Sequence, residues 1–103
     1  MIKIAVIGDY RSQEYKRLVE LTRISNASER VVDLSQYTGA AVLTNKKNRQ
    51  FDIKESHKVV IAPTWMNNVD SRSDVHFAQL NGKECLIYQD GRFIPFPVTG
   101  GGL

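Results

Sequence analysis

The sequence predicts one small α/β domain with a mostly parallel central sheet, and three features carry this prediction. Two short apolar runs rich in β-branched residues, Ile2–Ile7 and Lys58–Ala62, have the pattern of strands buried on both faces. Each run is followed by a polar turn and then by a stretch with helical spacing, which is the order of a βα unit. Near the end of the chain, Asp90-Gly91 lies between two further strand-like runs and is a strong signal for a two-residue hairpin turn.

The first third of the chain is predicted to form a strand, a helix and a second strand. We expect the helix over Ser12–Ile24, with Ser12 as its N-cap and Glu14 in its first turn. Its buried face at helical spacing consists of Tyr15, Leu18, Val19 and Thr22, with Leu21 beside them. The second strand is expected over Val31–Leu34, a short β-branched run.

Residues 35–56 allow two interpretations. Ala40–Leu43 is apolar, Asn45–Asn48 is polar and basic, and Phe51 and Ile53 alternate with polar neighbours. These features fit either a weak helix or a small hairpin whose turn lies at Lys46–Asn48, and we favour the hairpin. The basic cluster of Lys46, Lys47 and Arg49 is then expected to be a solvated loop.

The second half of the chain supplies the rest of the sheet. A helix is expected over Ser71–Asn81, where Ser71 and Asp74 resemble a capping box and Gly82 ends the helix in a left-handed conformation. The runs Glu84–Tyr88 and Arg92–Phe96 are expected to pair antiparallel, with the second confined to the sheet edge because Pro95 cannot donate to a central ladder.

These elements predict a small Rossmann-like or flavodoxin-like domain over residues 1–98, followed by a flexible tail over residues 99–103. Right-handed crossovers place the ends of the first strand and of the Lys58–Ala62 strand on the same rim of the sheet. Because ligands bind at the carboxyl ends of strands in such sheets, this rim is the expected place for function.

Composition narrows the class of protein. The net charge is +3 and the pI about 9.2, which is mildly basic and does not by itself indicate nucleic-acid binding. Cys85 is the only cysteine, so no intrachain disulfide can form, and the chain lacks a signal-peptide pattern and an apolar run of membrane-spanning length. We therefore expect a cytoplasmic protein that does not interact with membranes. His57 and His76 lack metal-ligand spacing, so we expect no metal and no cofactor.

The first candidate rim segment follows the first strand. Its residues are Gly8, Asp9, Tyr10 and Arg11. A glycine lets the backbone turn closely, a tyrosine face can stack a base, an arginine can pair with phosphate, and the amides of a helix start favour anions. Neither a GxGxxG fingerprint nor a P-loop is present, which disfavours a dinucleotide or P-loop site. The alternative is an ordinary βα turn in which Asp9 and Ser12 act as caps.

The second candidate rim segment is the long polar stretch 63–74. Its candidate ligand-binding residues are Trp65, Asp70, Ser71, Arg72 and Ser73, and its candidate catalytic residue is Asp74. A carboxylate at a helix start has its ionised form favoured by the helix dipole, and such a carboxylate can attack a sugar carbon or accept hydrogen bonds from ribose. The alternative is that Asp70 or Ser71 caps the helix and Asp74 only complements the dipole. Trp65 is equally consistent with a stacking platform and with a cap on the core.

The segment Asp74–Lys83, DVHFAQLNGK, resembles the helix of nucleoside 2-deoxyribosyltransferase-like proteins. In that family a Ser/Gly/Thr-rich turn precedes a glutamate, an alanine follows after three residues, and the helix closes in Gly-Lys before a strand. The resemblance covers residues 57–88 and, more loosely, residues 1–12. It implies that Asp74 matches the glutamate that takes the sugar from its base, and that Asp70 matches the aspartate that contacts the base. Asp74 is one methylene shorter than that glutamate, and Arg72 stands where the family has a small glycine.

Three functions follow as hypotheses. The first is a nucleoside- or nucleotide-binding protein that resembles the deoxyribosyltransferases and has diverged in activity. The second is an active transferase or hydrolase of N-glycosidic bonds in nucleosides or nucleotides. The third is a non-enzymatic protein-interaction domain of phage or mobile-element origin. An exposed sheet edge also offers a route to self-association, so a homo-oligomer is among the expected assemblies.

Overall fold

The computed structural model describes residues 2–96, which form a five-stranded sheet and three α-helices. In chain order the elements are β1 (Lys3–Ile7), α1 (Gln13–Ser25), β2 (Arg30–Asp33), a first 3₁₀ turn (Leu34–Tyr37), α2 (Val42–Glu55), β3 (Lys58–Ile61), a second 3₁₀ turn (Trp65–Asn67), α3 (Val69–Leu80), β4 (Glu84–Gln89) and β5 (Arg92–Pro95). The strand order is β2-β1-β3-β4-β5, and only β5 runs antiparallel to its neighbour. The predicted small Rossmann-like fold is confirmed, whereas the predicted tail 99–103 lies outside the described residues.

The buried interior of the sheet is formed by β1 and β3, each of which has a strand on either side. In β1 all four residues from Ile4 to Ile7 have no solvent exposure, and β3 beside it is buried over Val59–Ile61. The chain moves one way from β1 to β2 and then back past β1 to β3, so right-handed crossovers place α1 on one face and α2 and α3 on the other. Consistent with this arrangement, α2 packs against α3.

The end of β1 is fixed tightly to its surroundings. A Cβ atom added to Gly8 would lie 2.7 Å from the Ala62 Cβ and 3.0 Å from the Tyr15 ring, so the glycine is required by close packing. The Tyr15 hydroxyl donates to the Val6 carbonyl at 2.8 Å and accepts from the Leu34 amide at 2.9 Å. This hydroxyl therefore joins α1, β1 and the first 3₁₀ turn at the rim of the sheet.

The predicted hairpin within residues 35–56 is wrong, because this segment forms the first 3₁₀ turn and α2. The buried residues of α2 are Arg49 and Ile53, which lie one turn apart. Because one of these two inward-facing residues is charged, the apolar periodicity that would indicate a helix is weak. Phe51, whose alternation with Ile53 suggested a strand, is 63% exposed on the outer side of the helix. Lys46 and Lys47 are exposed on α2 instead of lying in a loop.

The predicted cap of α3 is also wrong. The helix begins at Val69, and the Asn68 side chain is its N-cap, accepting from the amides of Asp70 at 2.9 Å and Ser71 at 3.1 Å. Asn68 has the extended backbone of an N-cap residue, and it precedes the predicted cap by three positions. Ser71 lies inside the first turn, where its hydroxyl donates to the backbone carbonyls of Trp65 and Asn68.

The two predicted glycine turns are confirmed. Asp90 and Gly91 have φ values of 52° and 77°, as a two-residue hairpin turn requires, and β4 and β5 pair across it. Gly82 has a φ of 66° directly after α3 and its cap residue. Among residues 2–96, no helix is both long enough and apolar enough to cross a bilayer.

Candidate functional site

The two rim segments meet at the carboxyl edge of the sheet. The Tyr10 hydroxyl, just after β1, donates to Asp74 Oδ2 in α3 at 2.6 Å, although 64 positions separate the two residues. A second bond across the same rim joins the Thr64 hydroxyl to the carboxylate of Glu14 in α1. The meeting point lies between β1 and β3, where the strand order reverses and where open α/β sheets bind ligands.

A buried cluster of Tyr10, Arg49 and Asp74 forms the floor of this region. Arg49 Nε donates to Asp74 Oδ2 at 2.7 Å, so one carboxylate oxygen accepts from both the guanidinium and the tyrosine hydroxyl. The guanidinium also lies over the Tyr10 ring, 5.4 Å from its centroid, and donates to the Tyr37 carbonyl at 3.1 Å. The side chain of Arg49 is 3% exposed and that of Asp74 has no exposure, so this is a desolvated ion pair.

Burial dominates the electrostatics of the cluster. It raises the pKa of Asp74 above its ordinary value, although the Tyr10 hydroxyl and the Arg49 guanidinium both act in the opposite direction. Burial, together with the neighbouring Asp74 carboxylate, raises the pKa of Tyr10 well above its ordinary value. Tyr10 is therefore held in its protonated form, which is the form that donates to Asp74.

One oxygen of the cluster has no partner. Asp74 Oδ1 is buried and makes no hydrogen bond, and no other buried side-chain nitrogen or oxygen in residues 2–96 is in this state. Buried polar groups are nearly always hydrogen-bonded, so this oxygen retains a capacity to accept that the protein does not use. It is the clearest unsatisfied group at the rim.

Beside this cluster lies a cleft of about 220 Å³. It is lined by Tyr10, Arg11, Tyr37, Thr38, Gly39, Val42, Asn45, Arg49, Asn68 and Asp70. These residues come from the segment after β1, the segments before and after the start of α2, and the start of α3. The cleft is therefore enclosed by the carboxyl ends of parallel strands and by the amino ends of two helices.

Charges of both signs face the cleft. The Asp70 side chain is 46% exposed and lies 3.6 Å from the Arg49 guanidinium, so one carboxylate stays accessible to a ligand. Arg11 also lines the cleft and is exposed, and it donates to the Thr38 carbonyl at 3.3 Å. Unlike the other two helices, α2 begins without a side-chain cap, because its N-cap residue is Ala41. The cleft can therefore both accept hydrogen bonds from hydroxyl groups and donate them to carbonyl or anionic groups.

Of the residues predicted for the site, Tyr10, Arg11 and Asp70 line the cleft. Asp74 lies beneath it in the buried cluster. Gly8 is buried at the end of β1 and gives the close approach to Ala62 described above. Asp9 contributes its backbone carbonyl, which accepts from Ser12 at the start of α1.

The other predicted residues do not line the cleft. Trp65 is half-buried and packs edge-to-face on Phe96 at 5.5 Å, so it caps the core and does not provide a stacking platform in the cleft. Ser71 is buried in the first turn of α3, and Arg72 donates to the Met66 carbonyl at 2.6 Å outside the cleft. Ser73 is half-buried on the same helix.

The sequence did not identify Arg49 or the cleft-lining residues after β2 as parts of the site. Asp70 and Asp74 are one helical turn apart on the same face of α3, and two such carboxylates near the sheet call for a cation opposite them. That spacing could have indicated a cation opposite α3, but it does not say which of the fourteen basic residues supplies it. Three cleft residues, Tyr37, Thr38 and Gly39, follow β2 at the same rim. They were not predicted as site residues because the segment 35–56 was interpreted as a hairpin.

Within the described part of the chain, no group of three or more His, Cys, Asp and Glu side chains is arranged to hold a metal ion. Comparison with protein-family models, with curated proteins and with solved structures finds no match to this chain.

Proposed function

We propose that this chain binds a nucleoside or nucleotide in the cleft at the carboxyl edge of the sheet. The observation that carries the proposal is the junction of the two rim segments, which the Tyr10–Asp74 hydrogen bond joins at the point where the strand order reverses. That position is the general ligand site of open α/β sheets. The resemblance of residues 74–83 to nucleoside 2-deoxyribosyltransferase-like proteins supports a nucleoside-type ligand.

Each part of such a ligand has a suitable group in the cleft. The accessible carboxylate of Asp70 can accept hydrogen bonds from sugar hydroxyls, as acidic residues do at comparable sites. The half-buried ring of Tyr37 is a better stacking surface than Tyr10, whose ring is covered by Arg49 and is only 3% exposed. Arg11 and the uncapped start of α2 favour a phosphate or a carbonyl group.

Binding is better supported than catalysis by Asp74. An attacking carboxylate must come within about 3–3.5 Å of the reacting carbon. Asp74 has no solvent exposure, and its Oδ2 is held by two donors, so the described conformation does not present it to a ligand. Its role in this proposal is to position Tyr10 and Arg49 in the floor of the cleft.

The test is a thermal-shift screen with a panel of nucleosides and their 5′-monophosphates, followed by calorimetry on those that stabilise the protein. A ligand at one hundred times its Kd stabilises the native state by about 2.7 kcal/mol, which corresponds to a rise in Tm on the order of 10 °C for a domain of this size. Asp70→Asn is expected to weaken binding at least tenfold, an amount equal to about 1.4 kcal/mol.

Asp90→Asn is the matched control, because it makes the same chemical change at the tip of the β4–β5 hairpin, where asparagine tolerates a positive φ. It is expected to leave binding unchanged. The proposal is rejected if no member of the panel stabilises the protein, or if both variants weaken binding equally.

Cleavage of an N-glycosidic bond is the second candidate, and the unpartnered Asp74 Oδ1 is the observation that favours it. An oxygen without a hydrogen-bond partner keeps a free lone pair, which a nucleophile requires. In the described conformation this oxygen lies beneath the cleft, so attack on a sugar requires a rearrangement that exposes it. Release of free base from deoxynucleosides or nucleotides, followed by chromatography, tests this activity. Loss of the activity in Asp74→Asn, with the fold preserved by circular dichroism, would support it, whereas absence of release from every substrate would reject it.

A further inference from the structure

Two asparagine side chains line the ligand cleft in fixed orientations. They are Asn45, near the start of α2, and Asn68, the N-cap of α3, and both are half-buried. A side-chain amide has one oxygen that accepts hydrogen bonds and one NH₂ group that donates them, so its orientation decides what it offers to a ligand. Contacts with the backbone settle that orientation for each of the two residues.

The amide of Asn68 offers a donor. Its Oδ1 accepts from the backbone amides of Asp70 at 2.9 Å and Ser71 at 3.1 Å. Only an oxygen can accept from these N–H groups, so the nitrogen must occupy the other end of the amide. Within residues 2–96, Asn68 Nδ2 makes no hydrogen bond. The cap of α3 therefore leaves one donor without a partner in a residue that lines the cleft.

The amide of Asn45 offers an acceptor. Its Nδ2 donates to the Gly39 carbonyl at 3.0 Å, and a carbonyl can only accept, so the positions of nitrogen and oxygen are again fixed. Asn45 Oδ1 makes no hydrogen bond in the described part of the chain. The residue lies one turn before Arg49 on the same face of α2, so this acceptor is next to the floor of the cleft.

We propose that Asn45 and Asn68 determine which bases the cleft accepts. Asn68 Nδ2 donates to a ring nitrogen or carbonyl oxygen of the base, and Asn45 Oδ1 accepts from an amino or ring N–H group. Asp70, two positions after Asn68, stays accessible for the sugar hydroxyls. This inference rests on the proposed nucleoside binding and adds a requirement, namely that the base carries both a donor and an acceptor.

The backbone contacts make this pair selective. If the Asn68 amide were flipped, its NH₂ group would face two backbone N–H groups, and the cap of α3 would be lost. Neither amide can therefore turn over to suit a ligand with the opposite pattern. A site that leaves its polar groups unpaired rejects the analogue that lacks the matching group.

The first test compares matched ligands by calorimetry on the full chain. Purine riboside differs from adenosine by the loss of its amino group, and 3-methyluridine differs from uridine by the loss of its ring N–H. Whichever of adenosine and uridine binds more tightly is expected to lose at least about tenfold in affinity when its donor is removed. Equal affinity within both pairs would overturn the role of Asn45.

The second test is Asn68→Asp, measured with the nucleoside among adenosine, cytidine, guanosine and uridine that binds the wild type most tightly. The variant keeps an oxygen that caps α3 and replaces the donor by a second acceptor. Because aspartate caps a helix about as well as asparagine, the Tm of the unliganded protein should stay the same. Affinity for the nucleoside is expected to fall at least about tenfold.

Asn67→Asp is the matched control, because it introduces the same charge one position earlier, at an exposed residue that does not line the cleft. It is expected to leave affinity unchanged. Equal losses in Asn67→Asp and Asn68→Asp would overturn the inference, since charge and not the amide would be the cause. An Asn68→Asp protein that binds as tightly as the wild type would overturn it and leave the proposed function standing, whereas a wild type that binds no nucleoside would reject both.

Discussion

Removing the guanidinium of Arg49 is the most informative perturbation of the buried cluster. Arg49→Met keeps an unbranched side chain of similar length and deletes the charge that faces Asp74 at 2.7 Å. Because the arginine side chain is 3% exposed and the aspartate has no exposure, the variant leaves a carboxylate buried without its counter-ion. Breaking one partner of such a pair costs about 3–5 kcal/mol, which is a large part of the stability of a small domain. We therefore expect a loss of this size in the free energy of unfolding at neutral pH.

A second substitution tests the cause of that loss. Asp74→Asn placed on the Arg49→Met background removes the uncompensated charge while keeping an oxygen that can accept from Tyr10. The double variant is expected to recover about 1–3 kcal/mol relative to Arg49→Met, as for other directly coupled pairs. Urea denaturation followed by circular dichroism measures Arg49→Met, Asp74→Asn and the double variant beside the wild type under one set of conditions.

The same variants have a defined dependence on pH. The pKa of Asp74 lies above its ordinary value of 3.8, so its contribution to stability is greatest below 3.8 and declines as the pH rises through the raised pKa. Arg49 lowers that pKa, and its removal moves the decline to higher pH. The difference in stability between wild type and Arg49→Met should therefore shrink as the pH falls from neutral. A loss below about 1 kcal/mol, or additive effects in the double variant, would refute the buried ion pair.

Three further substitutions test the scaffold of the rim. Gly8→Ala places a methyl group 2.7 Å from a neighbouring side chain and should cost about 1–3 kcal/mol in urea denaturation, whereas Gly39→Ala, with nothing within 4 Å, should be close to neutral. Asn68→Ala should cost about 1 kcal/mol through loss of the α3 cap, and Asn67→Ala, which has no capping role, should cost much less. Tyr15→Phe removes a hydroxyl that makes two buried hydrogen bonds and should lower the unfolding free energy by about 1–3 kcal/mol; an unchanged midpoint would contradict that role.

The first and third strands could be predicted because nearly all of their residues are apolar. Residues 2–7 and 58–62 are continuous apolar runs, and burial on both faces leaves few other structures open to them. The helix α2 could not be predicted in the same way, because tertiary contacts and not an apolar stripe stabilise it. Its inward position at Arg49 is occupied by a charge whose partner lies in another helix, and no local pattern contains that information.

The site could be predicted in its location and only partly in its residues. The rule that strand ends share a rim correctly brought Tyr10 close to Asp74. It could not tell a residue that lines the cleft from one that supports it, because Asp70 and Asp74 are the same residue type one helical turn apart. Whether a carboxylate is accessible or buried depends on how α3 packs against α2. This packing cannot be predicted from the residues that neighbour Asp70 and Asp74 in the sequence.

The contacts of Arg49 also set how the cleft can open. Its guanidinium touches the backbone after β2, the carboxylate in α3 and the ring after β1, so movement of any one of these segments breaks a contact of the side chain that also holds the other two. Hydrogen exchange of their amides is therefore expected to proceed through a common opening with a shared free energy, in the manner of a cooperative unit. The β4–β5 hairpin makes none of these three contacts, so its amides should exchange independently. We therefore expect two separate opening units, the residues around the cleft and the β4–β5 edge of the sheet.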